Sequence, residues 1–262
     1  MESRGKKVQS VEKAMRILDC FWAERRDFSL AELAQRTGWA KSTIHALLSS
    51  MMENATVEQD ELSGRYRLGY HAFELGCVVQ EQWEVLPVAA HHMRRITDQT
   101  GESLYLGMRC GNEILLIDNS EGFHDFKAAS PLGGRMPMYA CSQGKLLLSL
   151  MQPQELEVYL QTAELKRYTP NTITDPEQLR QELEKIRAQG YSIEYGELQT
   201  GLKAIAAPIY DKNGRCDCAI SAVTIARNEV AGERFQRLQE IVIKAAEEIS
   251  GELKYPIGWR GQ

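Results

Sequence analysis

The sequence contains no apolar run approaching the roughly 18 residues that a membrane-crossing helix needs. It opens on the polar MESRGKKVQS, with no apolar core of a secretory leader behind it. Neither membrane residence nor secretion is expected, and a cytoplasmic location is. The six cysteines, Cys20, Cys77, Cys110, Cys141, Cys216 and Cys218, are scattered. Their one close pair is a C-x-C inside a β-prone run, which suits neither a metal knuckle nor an easy disulfide. Reduced, packed thiols are expected, with no metal. Catalytic signatures are missing too: there is no nucleophile elbow, no H-E-x-x-H and no G-x-x-x-x-G-K-[ST] loop, and His124 has no partner motif. Neither an enzyme nor a cofactor is expected, and Gly133-Gly134 reads as a turn leading into a strand.

What is present is enough apolar sequence, 43% of 262 residues, to build two ordinary globular cores. The net charge of −5 argues against indiscriminate binding of nucleic acid, but it is unevenly spread. Residues 1–50 hold nine Lys/Arg against six Asp/Glu, whereas the remainder hold 22 against 30. Any contact with DNA is therefore expected near the N-terminus.

That end reads as three helices and a hairpin. In SVEKAMRILDCFW, Val11, Ala14, Met15, Leu18 and Trp22 recur at helical spacing, which predicts one core-facing stripe. Ser29-Leu30-Ala31-Glu32 matches a capping box, so a second helix starts at Ser29 and runs to Gly38. A third, KSTIHALLSSMM, puts Ile44, Leu47, Leu48 and Met51 inward and leaves Lys41, Ser42, Thr43, His45, Ser49 and Ser50 outward. ATVEQD and RYRLG, joined by ELSG, predict a hairpin with Tyr66 and Leu68 inward and Arg65 and Arg67 outward. This order is that of a winged helix-turn-helix, over 1–70.

Residues 71–86 continue as a linker helix that Pro87 interrupts before AAHHMRRITDQTG. Over 87–262 the pattern mixes strands (SLYLGMR, ILLIDN, RMPMYA, YSIEY, KAIAAPIYD, RCDCAISAVTIA) with helices between 143 and 160, from Asp175-Pro176 to Gly190, and at the end of the chain. Asn213-Gly214 is a hairpin signal between the last two strands. The fold class is α+β, with a mixed antiparallel sheet in a C-terminal sensor domain.

Five segments carry a family likeness: SVEKAMRIL, LAELAQRTGWAKSTIHALL with GRYRLG behind it, TGESLYLGMR, ASPLGGRMPMYACSQGKLLLS, and GYSIEYGELQTGLKAIAAPIYDKNG. On these the chain resembles the isocitrate lyase regulator (IclR) family of transcription regulators over nearly its whole length. The resemblance implies a winged helix-turn-helix, a linker helix and a GAF-like effector-binding domain. It further implies a homodimer or dimer of dimers, expected to be a repressor, on a near-palindromic double-stranded DNA operator. The sequence departs from the family at Ala46, where members often carry Arg, at Gly201-Leu202-Lys203-Ala204, and at Ser142-Gln143, where several have two small residues.

For DNA, the front of the third helix would enter the major groove. There Lys41 supplies charge, Ser42 and Thr43 reach phosphate beside the helix N-terminus, and His45 reaches a base edge. Arg65 and Arg67 would hold phosphate or the minor groove. For the effector, the family match implies Ala128 and Met136 on one side, Ser142, Gln143 and Gly144 at a helix start, Glu194 and Leu202 on a second wall, and Ala204 and Ser221 behind. Amides at a helix start favour an anion, which suits a small organic acid. Gln143 could donate to a carboxylate or accept from a hydroxyl, and Glu194 would accept from ligand hydroxyls. The competing reading is a DNA-binding adaptor whose C-terminal domain pairs only with proteins.

Overall fold

A computed structural model describes residues 8–123, 130–226 and 231–254, in two compact units covering residues 1–83 and 84–262.

The first unit holds α1 (Gln9–Glu24), α2 (Leu30–Thr37), α3 (Lys41–Glu53), β1 (Val57–Gln59), β2 (Tyr66–Leu68) and α4 (Tyr70–Glu81). Its core gathers Ile17, Phe21, Phe28, Leu33, Ile44, Leu48 and Tyr66, with the Phe21 and Phe28 rings edge-on at 5.6 Å. The capping box of α2 forms as the sequence predicts. Ser29 Oγ accepts from the Glu32 amide, the Glu32 carboxylate accepts from the Ser29 amide, and Gly38 closes the helix in the left-handed region.

The inward face of α1 differs from the expectation. Of the expected stripe, Ala14 and Leu18 pack on the core, whereas Val11, Met15 and Trp22 are exposed, and Ile17, Cys20 and Phe21 are buried instead. The helix carries two apolar stripes, and the core takes the one that brings Phe21 onto Phe28. In the wing, Val57 pairs with Leu68 and Gln59 with Tyr66. Tyr66 is buried but Leu68 is not, because the strand ends there. Gly69 donates to Thr56 O, and its Cα lies so close to the Ala55 carbonyl that no side chain would fit.

The second unit begins with α5 (Val85–Thr100). Pro87 lies in the first turn of this helix, where its missing N–H leaves no bond unmade, so it helps to start α5 rather than interrupting it. Six strands follow: β3 (Ser103–Cys110), β4 (Glu113–Ser120), β5 (Arg135–Pro137), β6 (Ser192–Tyr195), β7 (Leu202–Ile209) and β8 (Cys218–Ile225). They form one sheet in the order β5-β4-β3-β8-β7-β6, and every pairing is antiparallel. A register shift between Leu106 and Gly107 marks a bulge in β3.

RMPMYA does not continue as a strand. Met138, Tyr139 and Ala140 are all buried, which an alternating strand cannot achieve, and they form a 3-10 turn instead. Behind it come α6 (Ser142–Ser149), α7 (Pro153–Thr162), α8 (Pro176–Gln189) and α9 (Ala231–Glu252). Asp175 caps α8 by accepting from the Gln178 amide, and Gly190 ends it. Between β7 and β8, the Asp211 carboxylate accepts from the Asn213 and Arg215 amides, and Gly214 takes a positive φ of 75°, making the predicted turn. Helix α6 lies against the sheet with all eight of its residues buried.

Candidate DNA-binding and effector sites

Helix α3 starts from Ala40 without a side-chain cap, and its first turn carries no acid. Lys41, Ser42 and His45 are exposed and Thr43 is half-buried, so these four stand at or beside a helix start whose amides have no side-chain cap. The wing arginines are placed differently from each other. Arg67 projects outward and pairs with Glu58 of the facing strand at 2.5 Å. Arg65 turns inward onto the second helix of the motif: its Nη2 donates to Asp27 O and to the Glu32 carboxylate, both at 2.7 Å. Glu32 thus serves the capping box, Arg65 and Arg26 together. The Ser29 amide first, then the Ser29 hydroxyl and the two arginines, hold its carboxyl down to about 2. Arg65 therefore moors the wing to α2 rather than standing free for phosphate.

In the second unit a cavity, partly open to solvent, lies between α6 and the sheet. It brings together Met136, Ser142, Gln143, Glu194, Leu202, Ala204 and Ser221 from five separate stretches of chain. Ala128 and His124 lie outside the described residues. Gly144 does not face the cavity. A Cβ there would stand 2.3 Å from Met138 Cα and O, so this glycine is needed for close packing on the 3-10 turn, and its amide faces Cys141 Sγ. The cavity also takes in Tyr105, Leu116, Cys141, Leu198, Gln199 and Val223, which sequence reasoning missed. Strand register could have found two of them: Tyr105 pairs with Ser221, and Val223 shares the Ser221 face one repeat on.

The polar groups are narrowly specified. Gln143 Nε2 donates to Tyr105 O at 3.0 Å and to Ala219 O at 2.9 Å, tying α6 to β3 and β8. Its Oε1 is buried without a partner, above Gly107, whose missing side chain makes the room. Both amide hydrogens are engaged, so Gln143 cannot donate to a carboxylate, and its one remaining acceptor, Oε1, faces Gly107 and Ile114 beneath the cavity. This narrows the sequence expectation. Glu194 Oε1 accepts from the Glu197 and Leu198 amides and shapes the loop after β6. Burial pushes its carboxyl up to about 7, against the pull of those amides. Deeper still, Lys145 is completely buried and pairs with Glu197. Burial raises the Glu197 carboxyl while the Lys145 ammonium draws it back.

Among family profiles, the one described as the IclR helix-turn-helix domain matches residues 10–61, and the bacterial transcriptional regulator IclR C-terminal profile matches residues 77–251. The chain belongs to the IclR family. As a member it is a transcription regulator with a helix-turn-helix DNA-binding domain, in a family that is not enzymatic. It is 32% identical to the HTH-type transcriptional regulator BhcR of Paracoccus denitrificans over 93% of this chain and 86% of that one. It is 29% identical to the transcriptional repressor IclR of Escherichia coli over 93% and 89%. Among solved structures, Thermotoga maritima IclR superposes with a TM-score of 0.77 at 32% identity, over 94% of this chain and 99% of that one. An IclR homologue from Microbacterium hydrocarbonoxydans, complexed with 4-hydroxybenzoate, does so with a TM-score of 0.83 at 28% identity, over 94% and 99%. No helix among the described residues is long and apolar enough to cross a membrane.

Proposed function

We propose that this IclR-family chain is a cytoplasmic repressor whose grip on its operator is set by a small hydroxylated organic acid. Residues 1–70 read DNA, 71–86 connect, and 87–262 bind the effector. The observation that carries the reading is the cavity, where the Ser142 and Gln143 end of α6 has no side-chain hydrogen-bond cap and Gln143 Oε1 lies just beneath, buried and without a partner. The amides favour a carboxylate, Oε1 accepts from a hydroxyl once a small turn of the Gln143 side chain uncovers it, and Met136 and Leu202 cover a carbon skeleton. The homologue that holds 4-hydroxybenzoate supports a ligand of this chemistry.

On the DNA side, Lys41, Ser42 and Thr43 hold phosphate and His45 meets a base edge, while Arg67 exchanges Glu58 for phosphate and Arg65 positions the wing. Tyr70, Phe73, Leu75, Val78 and Val79 of α4 are 44–75% exposed in the single chain, as are Val11 and Met15 of α1 at 54–60%. That much apolar surface suits a homodimer, or a dimer of dimers, matched to a near-palindromic operator. An effector that binds better to the DNA-free form also releases DNA, since the coupling is reciprocal.

The test is calorimetry with paired acids, with and without a hydroxyl, on wild type and on Gln143→Leu and Ser221→Ala. A hydroxylated acid should bind wild type more tightly than its deoxy partner, and Gln143→Leu should remove the difference. Equal binding of the pair by wild type would place the hydroxyl elsewhere.

A further inference from the structure

A carboxylate in this cavity raises a problem of charge. No Lys or Arg stands among the described lining residues, and the one carboxyl that lines the cavity is Glu194. Among the described residues, the groups around Glu194 offer no spare cation. From α6, Lys145 is engaged with Glu197 and reaches Ile193 O at 3.4 Å. From α8, Glu182 approaches that same ammonium at 3.9 Å. The loop after β6 contributes Glu197, an acid, and β3 contributes the phenol Tyr105. Lys203 of β7 spends its ammonium over the rings of Tyr195 and Phe235, at 4.6 and 3.4 Å. Cys141 is neutral, its thiol pushed up to about 12 by burial.

An ionised Glu194 would therefore face a bound carboxylate across a poorly solvated gap, where like charges repel strongly. The geometry of Glu194 offers a way out. Its Oε1 is held by the Glu197 and Leu198 amides, whereas Oε2 makes no hydrogen bond among the described residues. A proton on Oε2 removes the repulsion and creates a donor in the cavity.

We propose that Glu194 recognises the effector as a neutral acid, its Oε2–H donating to the effector carboxylate, so that binding takes one proton from solvent. The proposal rests on the organic-acid reading above. No bond to carbon forms or breaks; a solvent proton moves to Oε2 and returns when the effector leaves. The free carboxyl, already raised to about 7, gives up its proton across the neutral range. Glu194 thus makes acid binding depend on pH, whereas an amide, which an ionised Glu194 does not repel, feels pH far less.

Calorimetry on the full chain tests this with lactate, pyruvate, benzoate and 4-hydroxybenzoate, each beside its amide, at pH 6, 7 and 8 in two buffers of different ionisation heat. An acid that binds should do so about tenfold more weakly at pH 8 than at pH 6, with close to one proton taken up at pH 8. Its amide should change less than twofold. Glu194→Gln keeps an oxygen for the two loop amides and an N–H for the effector. This variant should bind the acid at every pH as wild type does at pH 6, without proton uptake. An acid whose wild-type affinity is flat with pH and takes up no proton overturns the role of Glu194 while leaving the organic-acid reading intact. Absence of any acid binding at pH 6, or amides binding as tightly as acids there, overturns both.

Discussion

Helices α3 and α6 begin alike and lie in opposite surroundings. Each follows an extended residue, Ala40 or Cys141, that supplies no side-chain cap, and neither has an acid in its first turn. Both therefore leave the amides of their first two residues, Lys41 and Ser42 or Ser142 and Gln143, without a side-chain cap. The start of α3 is open to water, which competes for every contact, so binding there must be spread over many phosphates and must weaken with salt. The start of α6 is enclosed, so one anion can be chosen by a few fixed groups, but each neighbouring charge then matters. The same local chemistry serves a polyanion in one place and a single small molecule in the other, and burial makes the difference.

The largest expected effect breaks the enclosed side. Lys145→Met leaves Glu197 buried without its partner and should cost the second unit about 3–5 kcal/mol. Replacing both, with Lys145→Met and Glu197→Leu, should restore most of it. Denaturant melts of the variants measure this, and equal stability of the single and double variants would show that the pair does not matter.

Next comes the acid at the cavity wall. The folded chain holds the Glu194 proton up to about pH 7, whereas an unfolded chain releases it near the ordinary 4.5. The folded form binds more protons between those values, so the stability due to this group falls as pH rises through that window and is level above it. Glu194→Gln should therefore be the more stable protein at pH 8, by roughly 2–3 kcal/mol, and equal to wild type at pH 4. Melting curves at the two pH values provide the check.

On the open side the effects are smaller. Ser29→Ala removes the cap of α2 and should lower stability by about 1 kcal/mol, seen as an earlier unfolding of the first unit. Lys41→Ala and Arg67→Ala should weaken binding to every DNA sequence. Each should lessen the slope of log affinity against log salt by about 0.9. A slope unchanged in both would remove them from the phosphate contacts. His45→Ala should instead alter base preference in a randomised-site selection.

Much of this was legible in the sequence wherever a single side chain fixes backbone geometry. Ser29 with Glu32, Asp175 with Pro176, and Asn213-Gly214 each placed an element boundary correctly, because their hydrogen bonds are local. The inward face of α1 was not legible, since Val11/Met15 and Ile17/Phe21 are equally apolar and only Phe28, brought by the fold, decides between them. The same holds for Arg65, whose partner Glu32 lies 33 positions away. In the cavity, family likeness gathered Met136, Gln143, Glu194, Leu202 and Ser221. What each can do depended on distant carbonyls, amides and cations that no spacing reveals.

Gly107 and Gln143 carry a consequence for the order in which such a protein can change. A Cβ at position 107 would stand 2.5 Å from Gln143 Oε1 and 2.7 Å from Ile114 Cγ2, so the long amide fits only above a glycine. A lineage can reach this arrangement through glycine first and glutamine second, while the reverse order passes through a clash. Once Gln143 is present it helps to hold position 107 at glycine, and its loss frees that site to vary only if Ile114 also gives way. Two residues 36 positions apart are in this way tied into an order of substitutions, set where α6 packs on β3 beneath the cavity.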